Sequence, residues 1–417
     1  MKITAKIELP KKLTAKFKEL KMPLGGGYEE GYDDGYKEGY VVGEGDGYTK
    51  GETDGRKAGY NEGYGKGYDE GYAEAGENSL TAEDLAFSGD VSYLFYKGKW
   101  AWIADKYADL ISFNDITVAD YLFAQDANMT DASKLHLNFS QSKAGNMFEG
   151  CKNLTKLPKV SGTLERHIGG IFRDCWTLTS NEINEFFNSL SYVKSGASPS
   201  LGYLFYYCYS VRDLTPTLEW LDGYINSYTS TNQSICNRGN WFNNCVALDE
   251  IINIPVHKSG INVTSNQFSG TFQTCCRVKN IMFKTDNGVP YTVNWKGQTI
   301  DLTTKVGSGY SADNFTKYNS GLTEDKFVRN DTTYHALKNF DDWFTGYDEY
   351  SRYNHDSAVN TINSLPDTSE YLANAGGTNT IKFKGSSGSK TDGGAINTLT
   401  AEEIAVATAK GWTVTFA

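Results

Sequence analysis

Twelve glycines stand four residues apart without interruption: Gly27, Gly31, Gly35, Gly39, Gly43, Gly47, Gly51, Gly55, Gly59, Gly63, Gly67 and Gly71. Nine of them are followed directly by tyrosine, between Tyr28 and Tyr72. A period of three would suggest a collagen-like helix, and a period of two a strand. A period of four lies closest to the α-helix, where residues four apart share a face. Each step of four overshoots a straight helix by about 40°, so one straight helix cannot keep all twelve glycines on one side. A repeat longer than 3.6 residues winds partner helices into a right-handed supercoil. Gly-x-x-x-Gly crossings of this hand are known in membranes, but this segment is far too polar for a bilayer.

Each helical glycine costs roughly 1 kcal/mol relative to alanine, so the set costs on the order of 12 kcal/mol. Tyrosines buried between chains offset that cost at roughly 1.5–3 kcal/mol per large side chain. Interchain extended structure and a low-complexity linker are the other two readings of such a segment. The reading adopted is a homo-oligomeric helical stalk, with Gly27, Gly31, Gly35, Gly39, Gly59, Gly63, Gly67 and Gly71 in close contact and Tyr28, Tyr32, Tyr36, Tyr60, Tyr64 and Tyr68 packing between chains. The glycine repeat resembles that of the flagellar export-ATPase regulator, which is helical and self-associating.

The chain has 417 residues, enough for two or three domains. Its net charge of −11 argues against nucleic acid as a partner. The first 22 residues are the exception, with seven lysines against two acids. Met1–Pro10 lacks the apolar core of a signal peptide, and no window approaches a membrane span. The expectation is a chain made in a bacterial cytoplasm and carried outside by particle assembly, with no membrane insertion.

Beyond the stalk a unit Phe-x-x-Cys-x-x-Leu recurs. Its clearest copy is MFEGCKNLTKLP, with Phe148, Cys151, Leu154 and Leu157. Phe172, Cys175 and Leu178 follow; then Phe205, Cys208, Val211 and Leu214; Phe242, Cys245, Leu248 and Ile251; and Phe272, Cys275, Val278 and Ile281. Phe123, Asp126 and Met129 form a weaker copy upstream. A fixed apolar skeleton with variable spacers predicts stacked units that build a core only together. The cysteines then occupy one buried position as small hydrophobes, rather than a disulfide framework or a zinc site.

MFEGCKNLTKLP resembles the BspA-type leucine-rich repeat of bacterial surface proteins and of tail-fibre-like proteins of gut bacteriophages. The closing runs HDSAVNTINSLPD and LTAEEIAVATAKGWTVTF resemble the end of many such phage proteins. In the last run Thr400 and Glu403 predict a capping box, Gly411 a helix stop, and Trp412–Phe416 a strand. Thr179 and Glu182 predict a second box, opening a helix with Ile183, Phe186, Phe187 and Leu190 on one face.

The expected fold is α/β: an irregular leucine-rich-repeat solenoid preceded by an oligomeric Gly-x-x-x-Gly helical stalk. The expected divisions are a basic docking segment (1–24), the stalk (25–78), the repeat body (79–300), a non-repeat insertion (301–353) and a C-terminal capping repeat (354–417). The resemblance implies a bacteriophage virion protein, a tail fibre or comparable appendage attaching to the host surface without covalent chemistry. Its partners would be itself (trimer first, dimer second), other virion proteins through 1–24, and a host glycan or protein. A bacterial BspA-type adhesin and a purely structural head-fibre or collar protein are the alternatives.

His136, His167, His257, His335 and His355 show no ligand spacing, and no P-loop or nucleophile elbow occurs. No catalytic residue, metal or cofactor is expected, and the chain is read as a non-enzyme. One aromatic cluster stands out in the insertion: Trp343, Tyr347, Tyr350 and Tyr353 interleaved with Asp341 and Asp342. It reads either as the packing face of a helix or as a glycan platform, since aromatic faces stack on sugar rings. The stalk generates its own test. A 25–78 peptide fused to a trimerisation tag should give a helical circular-dichroism spectrum that the untagged peptide lacks; coil in both would end the helical reading.

Overall fold

In a computed structural model, the fold is described for residues 81–98, 101–165, 167–193, 200–227, 239–245, 247–256, 270–272, 275, 278, 280–284, 297–302, 326–329, 332–335, 355–383 and 399–416. The stalk, the basic segment before it and the cluster at Asp341–Tyr353 lie outside the described residues. Two compact units divide the chain: Met1–Phe87 with Trp100–Ser112, and Ser88–Lys99 with Phe113–Ala417.

In the described part of the first unit, Thr81 and Asp84 exchange hydrogen bonds. Thr81 N donates to Asp84 Oδ2 (3.0 Å) and Asp84 N to Thr81 Oγ1 (3.4 Å). Helix α1 (Ala101–Tyr107) follows. Its Ile103 and Tyr107 are buried, as are Leu85, Phe87, Ala108 and Ile111 of the same unit.

The second unit is a mixed α/β body with parallel sheets. One sheet has the order β1 (Ala86–Asp90), β2 (Ser112–Val118), β3 (His136–Lys143), β4 (Lys159–Leu164), β5 (Ser191–Tyr192). β2 to β5 pair in parallel, each with the next in sequence. β6 (Glu250–Ile254) and β7 (Asn280–Phe283) form a second parallel pair. β8 (Thr299–Leu302), β11 (Asn379–Phe383) and β12 (Trp412–Phe416) form a third sheet, with β11 central. β9 (Lys326–Arg329) and β10 (Thr332–His335) make an antiparallel hairpin.

The chain turns sharply through the Phe-x-x-Cys segments, and these turns stack on one another. In the copies at Phe123, Phe148, Phe172 and Phe205 the N–H groups of the phenylalanine and of the residues two before and two after it donate to the next copy. Phe123 N donates to Met147 O (2.9 Å), Phe148 N to Ile171 O (3.0 Å), Phe172 N to Leu204 O (3.2 Å) and Phe205 N to Trp241 O (3.1 Å). The phenylalanine rings stack too, with centroids 5.4 Å apart for Phe123–Phe148, 5.9 Å for Phe148–Phe172 and 5.9 Å for Phe205–Phe242. Phe95 adds a rung ahead of these, stacked on Phe123 at 5.5 Å. No cysteine marks that rung, so the sequence motif misses it.

The cysteines do more than fill space. Each thiol donates to the phenylalanine carbonyl of the preceding copy: Cys151 to Phe123 O, Cys175 to Phe148 O, Cys208 to Phe172 O, Cys245 to Phe205 O and Cys275 to Phe242 O, all at 3.0–3.1 Å. The same carbonyl also accepts the N–H of its own copy's cysteine, as Phe148 O does from Cys151 N (3.0 Å). All five of these ladder cysteines, of the seven in the chain, are free and buried. Burial pushes the thiols of Cys151, Cys175, Cys208 and Cys245 well above their ordinary range, so they are poor nucleophiles. In the weaker copy Asp126 takes this place; its Oδ1 accepts from Asn128 N (3.1 Å) and Met129 N (3.2 Å).

Helices fill the longer spacers. α2 (Ser180–Asn188) buries Ile183, Phe186 and Phe187 as its periodicity predicts. The predicted box at its start does not close, because Thr179 makes no side-chain cap. Glu182 is engaged elsewhere, accepting from Lys156 Nζ (2.6 Å) and Leu157 N (3.0 Å) of the previous copy. A carboxylate that can satisfy a charged partner and a backbone N–H across the stack is better used there than on its own helix. α3 (Thr215–Ser227) carries the buried Asp222, which is paired with Lys284 Nζ at 2.9 Å.

At the C-terminal end α4 (His355–Ser364) covers β7. Thr361 Oγ1 donates to Ile281 O (2.6 Å), and Phe283 N donates to Ser364 Oγ (3.0 Å). Lys410 Nζ donates to Asn363 O (2.5 Å) at the negative end of α4. After α5 (Ser369–Ala375), α6 (Ala401–Ala409) opens with the capping box of Thr400 and Glu403, both bonds formed. Gly411 ends that helix region at φ 82°, ahead of β12.

Two tests follow from this packing. Cys175→Ser should keep a donor for Phe148 O and remain folded, whereas Cys175→Ala should lower unfolding free energy by about 1–2 kcal/mol through a lost partner and a small cavity. Urea titration compares them; equal stability would show that the thiol bond carries nothing. The second concerns His355, whose Nε2 lies 3.1 Å from Glu403 Oε2. The bonds to Glu403 and Asp356 hold the His355 pKa above its ordinary 6.5. Its contribution is therefore complete below that value and lost as pH rises through the folded one. Glu403 is held below its ordinary 4.5, chiefly by its bond to Thr400, so its contribution fades only in acid. The thermal stability of the C-terminal part should thus fall as pH rises above the ordinary histidine value of 6.5, and His355→Gln should remove that slope.

Candidate functional site

The stacked turns impose a backbone condition that the sequence motif does not reveal. The residue two before each ladder phenylalanine is left-handed: Tyr93 (φ 61°), Tyr121 (57°), Asn146 (52°), Gly170 (64°), Tyr203 (61°), Asn240 (60°) and Gly270 (65°). So is the residue two after it: Lys97, Gln125, Gly150, Asp174, Tyr207 and Asn244. Among the described residues, ten of the thirteen non-glycine residues with left-handed φ fall on these two columns, so the strain comes from the turn itself and not from local accident. Glycine and asparagine meet the condition at low cost, and they occupy four of seven places in the first column. A bulky tyrosine there costs on the order of 1–2 kcal/mol. Tyr93, Tyr121, Tyr203 and Tyr207 accept that cost.

Two of these tyrosines are the most exposed large rings among the described residues, Tyr93 at 44% and Tyr203 at 43%. Tyr93 stacks face to face on Tyr121, with centroids 4.9 Å apart and planes 11° apart. Tyr96 meets the edge of Tyr93 at 5.5 Å. Farther along the stack, Tyr203 and Tyr206 lie edge to face at 5.5 Å, and Tyr206 and Tyr207 at 4.3 Å. The Arg173 guanidinium carbon sits 5.4 Å from the Tyr203 ring and 5.5 Å from the Tyr206 ring, in cation–π range of both.

Polar groups join the two tyrosine clusters. His167 Nδ1 lies 3.4 Å from Asp120 Oδ1, and its ring lies over Gly145, where any side chain would collide with it. Asp120 Oδ1 also accepts from Gly145 N at 2.8 Å. Asn146 covers Gly170 in the same way. Arg173 Nη1 is 3.3 Å from Glu149 Oε1, and its Nε is 3.6 Å from Asp174 Oδ2. That Nε–H has no hydrogen-bond acceptor among the described residues.

The electrostatics follow from partial burial on an acidic surface. Burial first, then Asp120 and Tyr96, raise the Tyr93 phenol; burial, Glu149 and Tyr93 raise Tyr121. Tyr206 is pushed up to about 12, mainly by burial and by its bond to Tyr207. Burial also raises the Glu149 carboxyl, against the pull of Arg173. The phenols are thus neutral hydroxyls near pH 7 and can donate or accept hydrogen bonds. The arrangement is a rigid row of ring faces and hydroxyls, interspersed with carboxylates and one guanidinium.

The glycan platform expected at Trp343, Tyr347, Tyr350, Tyr353, Asp341 and Asp342 lies outside the described residues, as do the stalk glycines and tyrosines. The tyrosine strip was not singled out from the sequence. A signal was present: Tyr93, Tyr121 and Tyr203 each stand two residues before a buried ladder phenylalanine. Among the described residues no group of three or more His, Cys, Asp or Glu could hold a metal ion, and no helix is long and apolar enough to cross a membrane. No protein-family profile, curated protein or solved structure matches this chain.

Proposed function

We propose that this chain is a bacteriophage appendage protein, of tail-fibre type, that attaches to a host surface by non-covalent binding. Its repeat body is an irregular leucine-rich-repeat solenoid, its Gly27–Gly71 segment a homo-oligomeric stalk (trimeric first, dimeric second), and its basic residues 1–24 the link to other virion proteins. It works in the virion, as a non-enzyme without a cofactor.

The binding half of this reading rests on one observation: exposed tyrosines occupy strained backbone positions that glycine or asparagine would fill at lower cost. Strain retained where it lowers stability supports a role outside folding. The repeat scaffold supports the same reading, since stacked turns offer a long, pre-organised surface of the kind repeat proteins use for recognition. The virion half rests on the resemblance of MFEGCKNLTKLP and of the closing segment to phage repeat proteins. The buried, raised thiols favour a packing role for the cysteines over nucleophilic chemistry.

Mass spectrometry of purified particles encoding the chain should recover it as a virion component, and sedimentation of the full chain should give a trimer. Fluorescently labelled full chain should decorate host cells. A chain that sediments as a monomer at high concentration and fractionates with the cell envelope would overturn the appendage reading in favour of a surface adhesin.

A further inference from the structure

We propose that the strip from Tyr93 to Tyr207 is a binding site for an uncharged polysaccharide whose chain lies along the stacking direction of the repeats. The proposal rests on reading the repeat body as the attaching part of the molecule, and it names the ligand class of that surface.

Three observations carry it. The first is ring placement. Tyr93 and Tyr121 form one stacked platform, and Tyr203 and Tyr206 with Arg173 form another. Three rungs separate Tyr121 from Tyr203, about 15 Å at the usual strand spacing. Two platforms three copies apart along one stack suit a linear polymer that places sugar rings on both.

The second is the chemistry between the platforms. Asp120, His167, Asn146, Glu149 and Arg173 line that interval. A pyranose presents an apolar C–H face and a rim of hydroxyls. Tyrosine faces match the first, and carboxylate, amide and guanidinium groups match the second. Protein interfaces share the enrichment in tyrosine and arginine but are depleted in Asp and Glu, and this strip carries three carboxylates. Here the exposed rings are phenols among charged groups, not a cluster of Leu, Ile or Met.

The third is charge. Asp120, Glu149 and Asp174 set three carboxylates against two cations, the guanidinium of Arg173 and the ammonium of Lys97 over the Tyr96 ring, a net negative strip. Uronate, sialylated and phosphorylated polymers would be repelled, as would nucleic acid. The uncharged sugars remain.

The strained backbone makes the test sharp, because stability and binding should move in opposite directions. Tyr93→Asn and Tyr203→Asn place at these positions the residue already present at Asn146 and Asn240. Full-length wild-type and variant chains would be tested on immobilised mannan, soluble glucan and chitin-derived oligosaccharides, with a polyuronate as the anionic comparison. The wild type should bind at least one neutral probe and leave the polyuronate unbound. Each variant should weaken binding about tenfold or more while its melting temperature stays equal or rises. Phe416→Asn removes an exposed ring off the strip (42% exposed) and should leave binding unchanged.

Variants that melt lower than wild type would show the tyrosines to be structural and overturn the proposal. Unchanged neutral-sugar binding in both variants would overturn the site. Binding to host cells that is lost in the variants, without binding to any neutral probe, would overturn the ligand class and leave the attachment reading standing. Absence of cell binding by the wild type would overturn the attachment reading itself.

Discussion

The phenylalanine carbonyl is the group around which the stacked turns are arranged. It lies in the interior, where an unsatisfied acceptor would cost about 1–3 kcal/mol. Its own copy supplies one donor, the cysteine N–H, and the following copy supplies a second, the cysteine thiol. Each copy therefore needs its neighbour for polar satisfaction as well as for apolar burial. Serine would offer a stronger donor but a polar atom in an apolar column, and valine would fill the space without donating. Cysteine is the small, largely apolar residue that does both. In the Phe123 copy Asp126 stands instead and turns its carboxylate to the following N–H groups.

The ladder of backbone bonds also sets the surface. A turn that sends three N–H groups to the next copy must reverse direction twice within five residues. Left-handed conformation at the two flanking positions accomplishes this, and the non-glycine residues there are exposed or half-buried. The same geometry that closes the core thus creates two columns of left-handed positions, and at Gly150, Gly170 and Gly270 the side chain of the preceding copy (Gln125, Asn146, Asn240) leaves no room for a Cβ. Glycine or asparagine is the low-cost solution. Tyrosine at three places in one column concentrates aromatic surface on one stripe of a rigid support, where little entropy remains to be lost on binding.

Much of the core was legible in sequence. Phe-x-x-Cys-x-x-Leu located the rungs at Phe148, Phe172, Phe205, Phe242 and Phe272, and the buried face of α2 followed from helical spacing. Local rules succeeded where partners are local, as at Thr400 and Glu403. They failed at Thr179 and Glu182, which have the same spacing. There Lys156 and Leu157, remote in sequence, compete for the carboxylate. Phe95 was missed because its copy lacks the cysteine that made the others visible.

By itself, the sequence determined a set of apolar rungs, a capped C-terminal helix and a glycine period of four, because each is written in spacings of a few residues. Which surface residues stand side by side was decided only by the tertiary structure. Ladder phenylalanines lie 24 to 37 residues apart in the chain, so no fixed period connects Tyr93 and Tyr121 with Tyr203. Backbone hydrogen bonds between consecutive copies absorb the unequal spacers and bring the three tyrosines into one column, with Asp120, His167 and Arg173 between them.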